Sequence, residues 1–147
     1  ICNHIKMKVV VVDTSVLISA LIGKRGAGRA VLRQCLEEEC KPIISNALFQ
    51  EYEDVSSRPR IQKLSPLSKG DITDLLHAFY STCHWVPIYY LWRPNLRDED
   101  DNFLIELAVA GNAEAIITNN TKDLKSAELI FENIQILTPA QFLKDDN

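Results

Sequence analysis

Carboxylates dominate the residues of this chain that are able to do chemistry. Asp98-Glu99-Asp100-Asp101 stand in a row ahead of the apolar stretch Asn102–Ala110. Adjacent acids repel one another unless open water or a bound cation relieves them. Asp13 closes the apolar run Val9-Val10-Val11-Val12, and a residue just past the carboxyl end of a buried strand sits at the edge where α/β proteins build their sites. Glu51 lies about two helical turns into the segment that follows a second strand. Asp123 falls in the loop expected after a fourth. Acids placed in this way can converge on one rim, where a hard cation such as Mg²⁺ or Mn²⁺ takes oxygen ligands and relieves their repulsion. Such an ion lowers the pKa of a bound water and steadies the charge of an attacked phosphodiester. No nucleophilic Ser, Cys or His is required, and His4, His77 and His84 share no motif.

Each acid also has an ordinary explanation. A lone Asp after a strand is usually a helix cap or turn former. Glu51, beside Glu53 and Asp54, reads as a solvated helix face, and the acidic block suits the positive N-terminal end of its helix. Asp123 can cap the next turn. Singly these explanations win; jointly, at matching rim positions, they are the weaker account.

The elements that must position these acids follow from apolar spacing. Residues 8–12 form a β-branched run, the mark of a strand buried on both faces of a parallel sheet. Thr14 or Ser15 caps the next helix, which carries Val16, Leu17, Ala20 and Leu21. Residues 23–28 read as a loop and 30–38 as a helix. Strand Lys41–Ile44 precedes Ser45, the cap of a helix containing Leu48, Phe49, Tyr52 and Val55. Arg58-Pro59 breaks that helix and Pro66 marks a turn. Ser68 caps a helix over about 70–80, followed by a strand at 85–88, helix Asn102–Ala110 with its stop at Gly111-Asn112, strands at 115–118 and 134–137, and a closing helix at 139–144. Strands alternating with helices predict an α/β fold, with a parallel sheet of about five strands covered on both sides.

At 147 residues, 46% hydrophobic and 24% charged, the chain has the profile of one soluble domain with a real core. No apolar run approaches the length of a membrane span. The only methionine is Met7, so residues 1–7 read as a leader or an appended remnant and residues 8–147 as the domain. The net charge of −4 weighs modestly against a nucleic-acid binder, since phosphate contacts come from Lys and Arg. Acids that load a metal lose that weight. Cys2, Cys35, Cys40 and Cys83 lack the spacing of a zinc or redox motif and read as reduced thiols of a cytoplasmic protein. Gly23, Gly26 and Gly28 match neither a dinucleotide fingerprint nor a phosphate loop.

With these residues in place, the chain resembles the PIN-domain family, in the branch of VapC-type toxins of toxin–antitoxin pairs. The matching segments run from Val9 to Leu17, from Ser45 to Tyr52, from Asp98 to Leu104 and from Ala115 to Leu124, in the family's order and across nearly the whole domain. The resemblance implies a three-layer α/β/α sandwich and a Mg²⁺- or Mn²⁺-dependent endoribonuclease with an acidic pocket. It places Asp13, Glu51 and Asp101 at the three principal acids. Some relatives carry the fourth acid where this chain has Asn120; others use the later position, here Asp123. Asp98 is an outer acid or extra ligand, and Thr14, Ser15 and Thr118 are hydrogen-bond partners for the carboxylates or the scissile phosphate. The resemblance further implies a homodimer held inactive by a cognate antitoxin.

For the single-stranded RNA substrate, Lys24, Arg25, Arg29, Arg93 and Arg97 are candidate phosphate contacts, and Tyr89, Tyr90 and Trp92 candidate stacking partners. Two other functions compete. A non-catalytic PIN module binding RNA or a protein partner is favoured by Asn119-Asn120, which thins the acids. A phosphatase using Asp13 as nucleophile is disfavoured, because the second acid expected two residues on is Ser15.

Overall fold

The run Val9-Val10-Val11-Val12 is continuous rather than alternating because its strand is covered on both faces: Val10, Val11 and Val12 are all buried. The computed structural model describes residues 7–23, 26–88 and 102–145. Asp98, Asp101, Arg93, Arg97, Lys24, Arg25, Tyr89, Tyr90 and Trp92 lie outside the described residues. In chain order the elements are β1 (Val9–Val12), α1 (Thr14–Ile22), α2 (Ala27–Leu36), β2 (Lys41–Ile44), α3 (Asn46–Ser56), α4 (Pro59–Leu64), α5 (Lys69–Thr82), β3 (His84–Trp85), α6 (Asn102–Ala110), β4 (Ala115–Ile117), α7 (Thr121–Ile130), β5 (Gln135–Leu137) and α8 (Pro139–Asp145). The strands form one sheet in the order β3-β2-β1-β4-β5, every neighbouring pair parallel.

This order fixes the layers. From β1 the chain moves one way across the sheet to β2 and β3, then returns past β1 to β4 and β5. Right-handed crossovers therefore put α1 to α5 on one face and α6 and α7 on the other. Accordingly α1 packs on α2, and α2 on α5 and α8, while α6 lies against β1 and β4 and α7 against β5. The chain switches direction at the β1–β4 junction, and the carboxyl edge there is where a site is expected.

Several elements differ from their sequence reading. Residues 23–28 are not all loop: α2 begins at Ala27, and buried Gly28 packs onto α1, where a Cβ would collide with Ser19 Oγ and stand 3.2 Å from the Val16 carbonyl. It ends early, at Leu36, because Glu38 takes a left-handed conformation, φ 58°. Pro59 starts α4 rather than merely ending α3, since the first helical turn tolerates a missing N–H. Strand β3 stops at Trp85 ahead of Pro87, which has no N–H for a ladder. No described helix is long and apolar enough to cross a membrane.

The close approach of α1 and α2 gives a test. Gly28→Ala forces the helices apart and is expected to destabilise the protein by about 1–3 kcal/mol, read as a lower denaturation midpoint at unchanged m-value.

Candidate functional site

Asp13 occupies the N-cap position of α1 but does not cap it: its side chain makes no hydrogen bond to the helix backbone. The carboxylate is instead held from two other directions. Thr118, one residue beyond β4, donates its hydroxyl to Oδ2 at 2.7 Å, and Ser15 donates to the same oxygen at 2.9 Å. Thr118 is fully buried and Asp13 is 8% exposed, so each charge-assisted bond counts for more than it does in water. Oδ1 accepts no hydrogen bond among the described residues.

Each hydroxyl is itself held by the next turn. The Asn120 N–H donates to Thr118 Oγ1 at 3.0 Å, and the Asn119 N–H donates to Ser15 Oγ at 3.2 Å. The Asn119 side-chain amide also donates to the Ser15 carbonyl at 3.1 Å. Two successive backbone amides thus reach one carboxylate oxygen through two hydroxyls. The strand ladders set this up: the Asp13 N–H donates to the Ile117 carbonyl, and the Thr118 N–H to that of Leu137.

Glu51 lies on α3, half-buried. Its neighbour Tyr52 donates its hydroxyl to the Val12 carbonyl, one residue before Asp13. That bond ties the second turn of α3 to the rim of the sheet. Burial, and secondarily Cys83 and Asp13, pushes the Tyr52 phenol well above its ordinary pKa, so it stays protonated and donates. Sequence reasoning took Tyr52 as core alone.

Asn102 opens α6. The other end of that element is pinned at the opposite edge of the sheet, where the Glu114 N–H donates to the Val9 carbonyl, so Asn102 lies toward the carboxyl edge. Asn102 Oδ1 and Thr14 Oγ1 are buried without a hydrogen bond among the described residues. Buried orphan oxygens are rare in folded proteins and point to an unseen partner. One turn on from Asn102, Glu106 is 4% exposed. A buried acid inside the apolar run of α6 is out of pattern, a signal that sequence reasoning passed over. With Ser45, Asn46, Trp85, Ile88 and Phe103 it lines a cavity of about 560 Å³.

Asp123 is not in a loop. It sits exposed in the first turn of α7, and its N–H donates to the Asn120 carbonyl. The structure therefore brings together Asp13, Ser15, Thr118 and the Asn119-Asn120 turn, with Thr14 adjoining in sequence. Tyr52, the neighbour of Glu51, ties α3 to this rim, and Asp123 lies one helical turn beyond Asn120. Among the described residues, no group of three His, Cys, Asp or Glu side chains is positioned to share a metal ion. Asp98, Asp101, Arg93 and Arg97 lie outside that set. Arg29, expected at a phosphate, spends its guanidinium on the Ala20 carbonyl at 3.0 and 3.2 Å.

A parallel sheet between two helical layers, with an acid and two hydroxyls at its switch point, defines a three-layer α/β/α protein of the kind that works at its carboxyl rim. A family model described as the PIN domain matches residues 9–122, and the chain belongs to the PIN-domain family. An uncharacterized protein of Methanocaldococcus jannaschii is 33% identical over 155 aligned positions, which cover 97% of this chain and 94% of that one. The fold is also that of a chain in the crystal structure of VapBC2 from Rickettsia felis, bound to a DNA fragment from their promoter. That match has a TM-score of 0.54 and 16% identity over 88% of this chain and 98% of the other.

Removing the Thr118 hydroxyl tests the network. Thr118→Val leaves a buried carboxylate oxygen with one donor and strands the Asn120 N–H. The expected loss is about 1–3 kcal/mol, more than for half-exposed Ser15→Ala, in urea denaturation at neutral pH.

Proposed function

We propose that this chain is a Mg²⁺- or Mn²⁺-dependent endoribonuclease that hydrolyses phosphodiester bonds of single-stranded RNA. We further propose that it is the cytoplasmic toxin of a toxin–antitoxin pair, a homodimer restrained by a cognate antitoxin. PIN domains are generally nucleases that use divalent metals, and the shared fold with a VapBC2 chain favours the toxin branch. The observation that carries the reading is the state of Asp13: its carboxylate is withheld from helix capping and fixed by Thr118 and Ser15 through one oxygen.

The donors suit a hard cation. Asp13 keeps Oδ1 clear of the described donors, and Thr14 Oγ1 and Asn102 Oδ1 add buried oxygens beside it in sequence and at the far helix start. In this reading Asp13, Glu51 and Asp101 hold the ion, with Asp98 as a further ligand and the fourth position taken by Asn120 through its carbonyl or by Asp123. The bound ion supplies a water of lowered pKa and countercharge for the attacked phosphate. The protein's own part is positional. Thr118 and Ser15 hold the Asp13 carboxylate in place, Tyr52 holds α3 and thus Glu51 against the rim, and Thr14 offers a hydroxyl toward the scissile phosphate. Arg93 and Arg97 meet neighbouring phosphates.

A second reading, a PIN module that binds RNA or protein without cutting, is favoured by Asn120, which cannot act as an anion. One experiment separates them. In the nuclease reading, single-stranded RNA is cleaved with Mg²⁺ or Mn²⁺, cleavage stops in excess chelator, and Asp13→Asn lowers the rate by at least about 100-fold. Manganese binding by calorimetry with no cleavage of any single strand decides for the module.

A further inference from the structure

An acidic rim repels a polyanion, so a nuclease of net charge −4 needs countercharge elsewhere on its surface. The structure offers one on the arm between α3 and α5. From Val55 to Gly70 the chain carries Arg58, Arg60, Lys63 and Lys69 and no acid. Arg58 is committed to Asp54 at 2.8 Å. The side chains of Arg60, Lys63 and Lys69 are exposed and have no acidic partner among the described residues.

Helix α4 is unusual in burying none of its residues. Arg60, Lys63 and Leu64, spaced i, i+3 and i+4, lie on one face, and Leu64 is 51% exposed. Two cations beside an open aliphatic side chain make a face suited to a phosphate chain with loosely packed bases. The arm is tethered to the far end of the helix that Asp13 begins. Ser65 donates to the Leu21 carbonyl, and Leu21 lies eight residues along α1 from Asp13, about 12 Å of helix rise. The arm also packs on α3, the helix that carries Glu51.

We infer that the exposed face of α4, with Arg60 and Lys63 at its centre and Lys69 beyond, is the track for the sugar–phosphate backbone of single-stranded RNA on its way to Asp13. This rests on the reading of the chain as an RNA nuclease. The partner is identified by charge: phosphate contacts give an affinity that falls steeply with salt, and among the described residues neither cation is engaged by an acid.

The test is fluorescence anisotropy with a labelled oligouridylate and the whole chain, with Ca²⁺ in place of Mg²⁺, between about 50 and 200 mM salt. Arg60→Glu/Lys63→Glu is expected to weaken binding about tenfold or more and to reduce the log–log salt slope by about 1.4, or 0.7 for each lost contact. Lys144→Glu, exposed in the last turn of α8, leaves both unchanged. Both mutated arm residues are exposed, and an unchanged melting temperature confirms that folding is intact. Wild-type affinity and slope in the double variant overturn the track, as does a wild type with no salt-dependent RNA binding. Cleavage is scored separately with Mn²⁺. If the wild type cuts RNA while the double variant binds normally, the track falls and the nuclease stands. If the double variant binds weakly and the wild type never cuts, the nuclease falls and the track stands.

Discussion

The fold turns on the placement of one carboxylate. Asp13 ends the central strand at the single junction where the chain's crossovers change direction. Neighbouring strands there diverge into helices on opposite faces, so the carboxyl edge is open. A charge that is 8% exposed is costly to bury unless it is hydrogen-bonded. Thr118 and Ser15 meet that cost from two segments that only the completed sheet brings together. Pairing of β1 with β4, register included, is therefore a precondition of the site and not merely its scaffold.

Packing behind the rim serves the same end. Tyr52 is fully buried, stacks near Tyr80 and Phe79, and spends its only polar atom on the Val12 carbonyl. The aromatic cluster thereby becomes a lever that sets how α3 lies across the strand ends. On the other face α6 runs from Asn102 to Ala110 against β1 and β4. One layer is thus anchored at the rim by the Tyr52 contact and the other at the opposite edge by the Glu114 N–H, with apolar surface doing the bulk of the stabilising.

Legibility in the sequence followed the physics of burial. Strand β1 and helix α6 are dominated by apolar residues; the bounds of α6 could be read directly and those of β1 to within one residue. Helix α4 was invisible because it buries nothing, leaving no apolar stripe, and its Pro59 read as a breaker. Helix α7 was missed because it opens on polar Asn120, Thr121 and Lys122, with Leu124 and Ala127 its buried positions among the described residues; Asp123 consequently read as a loop residue. Asp13 was legible as a rim acid because it follows a buried strand. That its cap role would be forgone in favour of Thr118, 105 positions away, depends on sheet order, which local spacing does not carry. Family resemblance supplied the hydroxyls as candidates, but not the shared oxygen on which they meet.

The paired amide–hydroxyl chains at this oxygen have a polarity. A hydroxyl owns one proton, and both Thr118 and Ser15 give theirs to Asp13 while receiving from Asn120 and Asn119. Each link strengthens the next because all the dipoles point the same way. The negative charge is consequently shared with the peptide groups of the 119–120 turn, which never touch it.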